Sequence, residues 1–508
     1  MKNIIYILIC SLGILSCTKE FDEMNIDPNN PVSATSSSIL LQAQRTITHT
    51  LLDDNDVFSV LGWTQYQGRN GYNEQTYDYN WNTDRIFNSV NLVLNDIELL
   101  RIQAIKQNHK NYEGIAMIMK VWIFANYTEM YGDVPYSEAL KAFSDRLLYP
   151  KYDTQESIYK DLVLQLKEAE AKLDIDPSAA RVDDGSDLFC QGNMLKWKKF
   201  ANSLRARLYL RMSEADNAIA KAGLEEIFGD ITTYPILEKN DDNVGVKFIE
   251  ESSGVNTATF VQQSRSGTQR FAGDLIVDLL CANNDPRRTI MLNATQQSID
   301  SVKAGKWTDY EYTGTPPNTL SPIVSFKESE VSMVGEAITF DFYRPIDIIS
   351  YAEVLFIRAE AASKGYNVGG TAKEFYEAGI VASMNKWGVS DSTLIDQYII
   401  ENFAAYDASK AKEQIINQRY IEQFHQSLNT FAMIRRSSYP VLKWDAVGFA
   451  QDYGFPDRIP YSFNQKGERN FSDEGVVQNL WGNLWFAKGV TVNQNSSYTT
   501  PAIYKFKN

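Results

Sequence analysis

Histidine is almost absent from this chain, with three in 508 residues, and cysteine is barely commoner, with four. His49, His109 and His425 lie far apart, and no HExxH, paired CxxC or GxSxG occurs. A zinc or serine-hydrolase centre would have to be assembled without any local signature, so neither metal ligation nor nucleophilic catalysis is expected. No P-loop and no Gly-rich dinucleotide turn is present, and no cofactor is expected. Basic residues are outnumbered, 49 against 64 acidic, for a net charge of −15. That balance argues against nucleic acid or an anionic membrane surface as the main partner. The acidic clusters Asp53-Asp54-Asn55-Asp56, Asp183-Asp184 and Asp241-Asp242 could hold calcium or serve as glycosidase carboxylates. None has EF-hand spacing, and solvated loops are the simpler reading. Long apolar runs are missing too: the stretch from Ile346 to Ala362 is broken by Asp347, Glu353, Arg358 and Glu360, which excludes a membrane span there.

The one uninterrupted apolar run stands at the start. Lys2 opens a short basic end, Ile4 to Ile14 follows, and Ile14-Leu15-Ser16-Cys17 closes it. The run is about half the length needed to cross a bilayer, so a cleaved lipoprotein signal over residues 1–16 explains it better than a spanning helix. Cys17 then becomes the first residue and the lipidation site, and several acyl chains at about 0.8 kcal/mol per buried CH2 hold a protein on a membrane. An ordinary secretory signal with an incidental cysteine is the alternative. With Cys10 lost and Cys17 lipidated, Cys190 and Cys281 are left, enough for one disulfide or two separate buried thiols and too few for a disulfide framework. Residues 17–35, polar with Pro28 and Pro31, read as an extended tether.

From there to about residue 228, apolar residues recur at helical spacing. Ile39, Ala43, Ile47 and Leu51 mark a first helix, and Ile86 to Ala104 a second. Tyr112, Ile115, Met119, Trp122 and Tyr127 mark a third, stopped by Gly132 and Pro135. Ile158 to Leu173 forms a fourth with Asp153 and Glu156 as its capping pair; Trp197 to Leu208 and Ala218 to Phe228 follow. Residues 229–344 break the pattern with Asn, Asp, Ser, Gly and Pro, leaving loops, short strands and one small helix near Arg270 to Cys281. Pro345 to Gly365 is expected to be helical, then a helix capped by Thr371 and Glu374, then helices over Asp391 to Tyr406 and Ser409 to Arg435. Residues 437–508 are irregular. The fold class is therefore mainly α, an irregular tetratricopeptide-like solenoid without a strict repeat, carrying a loop-rich insertion.

Aromatic residues are the positive signal. Trp63, Tyr66, Tyr72, Tyr77, Tyr79 and Trp81 are interleaved with Gln65, Gln67, Arg69, Asn70, Asn73, Glu74, Gln75 and Asn80. A flat ring packs against the apolar face of a pyranose while amides and a guanidinium bond its hydroxyls, so this stretch is a candidate ligand platform. The alternative is that the rings pin a long loop to the scaffold or belong to a protein interface. Trp307, Tyr310 and Tyr312, beside Lys303 and Lys306, make a second candidate cluster. The basic pairs Arg287-Arg288 and Arg435-Arg436 are expected to pair with the chain's own carboxylates.

Several segments together resemble the SusD/RagB family of nutrient-binding outer-membrane lipoproteins, in its SusD-like branch from Bacteroidota. They are Phe21 to Pro31, Tyr131-Gly132-Asp133-Val134-Pro135-Tyr136, Trp197 to Arg205, Tyr351-Ala352-Glu353-Val354-Leu355 with Ala359-Glu360-Ala361, Arg435 to Pro440, and Asp457-Arg458-Ile459-Pro460-Tyr461. The resemblance implies a single SusD-like domain over 36–508, with a helical scaffold at about 36–228 and 345–436 around the insertion at 229–344. It implies no enzyme but a surface lid that binds a glycan, or a peptide, over a SusC-like TonB-dependent barrel. Lys19-Glu20-Phe21-Asp22-Glu23 resembles the surface-export signals of such lipoproteins, so the body is expected to face the exterior of the outer membrane. A surface-anchored glycan-active enzyme and a structural surface lipoprotein are the alternatives.

Overall fold

The structure, a computed structural model, describes residues 34–52, 58–68, 84–142, 144–246, 271–315, 326–339, 345–401, 404–424, 426–443, 455–461, 484–492, 494–495 and 501–507. The signal, Cys17 and the tether up to residue 33 lie outside these residues.

Six helices follow the apolar spacing: α1 Ser36–Leu51, α2 Asp84–Lys106, α3 Lys110–Tyr131, α4 Gln155–Lys172, α5 Met194–Arg211 and α6 Asn217–Gly229. Each packs on the next in sequence, as in a solenoid. Thr35, Asn193 and Asp216 cap α1, α5 and α6 through their side-chain oxygens. α3 has apolar residues on every side and is buried along most of its length, a central helix between α2 and α4. At α4 the expected capping pair is corrected. Thr154 is the cap, accepting the Ser157 N–H at 3.3 Å, while Asp153 turns back to the Ser137 N–H at 2.7 Å and its hydroxyl at 2.9 Å.

The insertion holds α7 Asp274–Cys281 and the short helices Arg288–Met291, Gln296–Lys303 and Glu336–Thr339, of which only the first was legible as a helix. Its two ends meet where strand Val244–Val246 pairs antiparallel with Ile346–Ile349. The long excursion thus returns to its starting point and leaves the helical stack continuous. Pro345 precedes that strand and does not open a helix, another correction. Helix α8 Tyr351–Ser363 begins after it, capped by Ser350, because the buried run Ile346 to Ile349 satisfies its backbone by pairing.

α9 Ala372–Trp387 carries the full Thr371/Glu374 capping box and packs closely on α8. α10 Ser392–Ile400, α11 Ala411–Glu422 and α12 Ser427–Ser437 complete the set. The single helix expected over Ser409 to Arg435 is divided by a turn in which the Gln426 N–H reaches the Gln423 carbonyl at 2.7 Å.

Buried charges fasten α5, α8, α11 and α12 together. Glu353 of α8, fully buried, accepts Arg207 through both oxygens at 2.8 and 2.6 Å, Arg419 at 2.6 Å and Asn429 at 3.3 Å. Glu360 holds Arg436 by two parallel bonds of 2.6 and 2.7 Å. Lys386 bridges Asp347 at 2.7 Å and Glu422 at 2.6 Å. Burial alone would push Glu353 and Glu360 up, but their guanidinium partners hold both carboxyls down at about 2.

Candidate functional site

The chain reaches the first aromatic stretch through a short helix, Phe58–Trp63. Trp63 is 7 % exposed and tilts against Phe431 at 5.6 Å. Tyr66 is fully buried, stacked on Tyr420 at 4.3 Å and edge-on to Phe424 at 5.3 Å, its hydroxyl donating to the Tyr420 carbonyl at 2.6 Å. These two rings are corrected from ligand platform to core: buried Trp63 packs on Phe431 of α12, and buried Tyr66 is stacked on Tyr420 of α11 and bonded through its phenol, so together they pin this segment to both helices. Tyr72, Tyr77, Tyr79 and Trp81 lie outside the described residues.

Beyond Tyr66 several strands of chain cross at one point. Gln65, at φ 60°, closes its amide onto Lys443: it accepts the Lys443 N–H at 3.0 Å and donates to the Lys443 carbonyl. Gln67 and Gly68 pair antiparallel with Ala272 and Phe271. The crossing needs glycine. A Cβ on Gly273 would lie 2.1 Å from the Gln65 carbonyl oxygen, one on Gly314 2.2 Å from the Asp274 Cα, and one on Gly68 2.2 Å from the Thr315 hydroxyl. Phe326 sets its ring edge-on to Phe271 at 5.0 Å. Residues 69–83 follow Gly68, 247–270 precede Phe271, 316–325 lie between Thr315 and Phe326, and 444–454 follow Lys443, so at least one end of each of these segments meets the described chain at this crossing.

The second cluster runs along strand Asp309–Tyr312, which pairs antiparallel with Tyr504–Lys507. Alternate residues face opposite sides. Tyr310, Tyr312, Tyr504 and Phe506 form the inner face, where Tyr312 is buried edge-on to Phe506 at 5.6 Å and the Arg288 guanidinium lies 3.3 Å from the Phe506 centroid. Tyr312 is therefore also corrected to a packing residue. Tyr310 is half-buried against the core, and Trp307 is half-exposed with the Lys505 ammonium 5.9 Å from its centroid. Lys505 pairs Glu311 at 2.8 Å. Of this cluster, Trp307 and Tyr310 keep partial exposure.

A cleft that the sequence did not announce, about 360 Å³, opens between α1 and α2, lined by Gln42, Arg45, Thr46, His49, Thr50, Arg85 and Ser89. It has hydrogen-bonding groups, with the His49 imidazole as its one ring and no Trp, Tyr or Phe. Among the described residues no three His, Cys, Asp or Glu side chains gather as metal ligands, and no helix is long and apolar enough to cross a membrane. Cys190 and Cys281 are separate buried thiols, and burial pushes the Cys281 thiol up to about 12. His109 caps α3, accepting the Tyr112 N–H at 3.4 Å; His425 and the Asp53 to Asp56 run lie outside the described residues. Asp242 is taken up by Lys199 at 2.8 Å. Of the basic pairs, Arg287 holds Asp285 at 2.6 Å and Arg436 holds Glu360, as expected. Arg435 differs, donating to the Phe431 and Asp457 carbonyls, while Arg288 bonds Asn284 and covers the Phe506 ring.

No curated protein matches the chain. Among solved structures, a chitin-binding protein superposes with a TM-score of 0.73 at 24% identity, over 90% of this chain and 100% of that one. A chitin-binding SusD homologue from Flavobacterium johnsoniae gives 0.71 at 23% identity, over 89% and 98%. A SusD homologue from Bacteroides thetaiotaomicron VPI-5482 gives 0.72 at 20% identity, over 90% and 100%. A family model described as SusD-like, starch-binding and associating with the outer membrane matches residues 28–462. With that model spanning most of its length and the same helical architecture throughout, the chain belongs to the SusD-like family, a family of binding proteins and not of enzymes.

Proposed function

We propose that this protein is a surface-exposed lipoprotein, anchored through Cys17, that captures an oligosaccharide and serves as the lid of a SusC-like TonB-dependent barrel. One observation carries the reading: the family matched over residues 28–462 is described by starch binding and by association with the outer membrane. The chitin-binding description of two structural relatives favours a glycan over a peptide. Ring stacking falls to Tyr72, Tyr77, Tyr79 and Trp81, with Trp307 and Tyr310 as a second contact area, since Trp63, Tyr66 and Tyr312 are occupied in packing.

Calorimetric titration of the detergent-solubilised protein with chitohexaose and maltohexaose tests the ligand class. Trp81→Ala or Trp307→Ala should weaken binding by about 1–3 kcal/mol, the range for a central aromatic anchor, with the melting temperature nearly unchanged. Wild-type affinity in both variants would remove these rings from the site. Affinity purification from solubilised outer membranes tests the partner. A TonB-dependent barrel should come with the protein, and repeated recovery without one defeats the lid assignment.

A further inference from the structure

We propose that the carboxamide of Gln67 contacts the bound saccharide directly; the proposal rests on the glycan-binding reading above. Gln67 is 3 % exposed, yet neither its Oε1 nor its Nε2 has a hydrogen-bond partner. Among the described residues it is the one carboxamide with both ends unmet. Gln65, two positions earlier, is the contrast: its amide is closed at both ends onto the backbone of Lys443. Burying a donor and an acceptor without partners is unfavourable, and folded proteins keep such groups rare. A group of this kind in a binding protein is poised for a partner brought from outside.

Its position agrees. Successive residues of an extended strand face opposite sides. Tyr66 is stacked on Tyr420 of α11, and Gln67, the next residue, opens the two-residue strand paired with Ala272 and Phe271. The backbone on either side cannot shift freely: Gly68 lies against Thr315, and the Gly273 N–H bonds the Tyr66 carbonyl at 2.9 Å. The amide is thereby held at the crossing that residues 69–83, 247–270 and 316–325 each meet by at least one end. One carboxamide can accept from one hydroxyl and donate to its neighbour, and the adjacent hydroxyls of a pyranose offer that pair of groups.

The test is titration of the intact lipoprotein in detergent with chitohexaose and maltohexaose, for wild type, Gln67→Met and Gln67→Asn, each with a melting curve. Met keeps the length and removes the amide; Asn keeps the amide but withdraws it by one methylene. Both should weaken binding of the probe that wild type takes, roughly tenfold or more, and the melting temperature of Gln67→Met should stay level or rise. Wild-type affinity in Gln67→Met overturns this assignment and leaves the glycan reading standing. A lowered melting temperature in Gln67→Met would assign the amide to the fold and overturn it too. Failure of wild type to bind either probe would count against the glycan reading itself, and this proposal falls with it.

Discussion

Glu353 offers the sharpest perturbation of the scaffold. It lies on α8 with no exposure and receives Arg207 twice, Arg419 once and Asn429 once. Burial, the largest influence, acts to raise its pKa, yet the two guanidiniums bring it from an ordinary 4.5 to about 2. At 1.36 kcal/mol per pKa unit, that difference corresponds to about 3 kcal/mol of stability at neutral pH. The sign follows from the direction. A carboxyl depressed in the folded state contributes fully above its unfolded pKa near 4.5, and the contribution fades as pH falls toward 2. Glu360, held by Arg436 and also near 2, adds to the same acid limb. Asp347, raised by burial, works in the opposite sense and returns part of that loss as it protonates. Glu353→Gln keeps the shape and removes the charge, leaving Arg207 and Arg419 buried without it. A cost of about 3–5 kcal/mol at pH 7 is expected, with a visibly shallower loss of stability between pH 5 and 3 than in wild type. Urea unfolding followed by circular dichroism across that range measures both. A cost below about 1 kcal/mol, or an acid limb as steep as that of wild type, would show that this carboxylate does not hold the helices together.

Two further perturbations probe separate levels of the structure. Gly273→Ala would place a methyl 2.1 Å from the Gln65 carbonyl oxygen, a backbone atom that no rotamer change can move. It should destabilise by about 1–3 kcal/mol and weaken oligosaccharide binding by displacing the crossing that holds Gln67, whereas Gly229→Ala, with nothing within 4 Å, should do neither. Melting curves of the pair decide this, and equal stability of the two variants would contradict the crossing. Thr371→Ala removes one half of the capping box with Glu374 and should cost about 1 kcal/mol in urea unfolding. An unchanged midpoint would mean that packing of α9 on α8 dominates its N-terminus.

The helical part was legible because its signals are local. The stripe Ile39, Ala43, Ile47 and Leu51 is buried along α1, and Thr371 caps α9 through the side chain that its spacing from Glu374 suggested. The misreadings arose where a distant partner overrode local pattern. Pro345 with an apolar run resembles a helix start until Val244 to Val246 supplies a strand partner a hundred residues away. Asp153 resembles a cap until Ser137 claims it. Trp63 and Tyr66 sit within an amide-rich stretch that suits sugar recognition. Only the fold reveals that α11 and α12 cover them, because nothing in residues 63–81 announces where Tyr420 and Phe431 will lie.

The same contrast explains why kinship was readable and the ligand was not. Among the described residues, the segments that carried the resemblance interlock the scaffold. Glu353 and Glu360 are buried ion-pair centres, and Arg436 closes on Glu360. Trp197 donates to buried Asp187 at 2.7 Å. The two distant motifs around Tyr131 and Arg458 join each other: Arg458 donates to the Tyr131 carbonyl at 3.1 Å, Tyr461 donates to the Asp133 carbonyl at 2.8 Å, and the Tyr131 and Tyr461 rings stack at 5.5 Å. Such groups are constrained by several partners at once, so exchanging one strands the others in a buried setting. Residues that meet a ligand answer to no such partner within the chain, and their composition can change without disturbing the packing of α1 to α12. An unpartnered buried amide such as Gln67 is therefore more informative about binding than any of the motifs that identify the family, because nothing in the scaffold accounts for it.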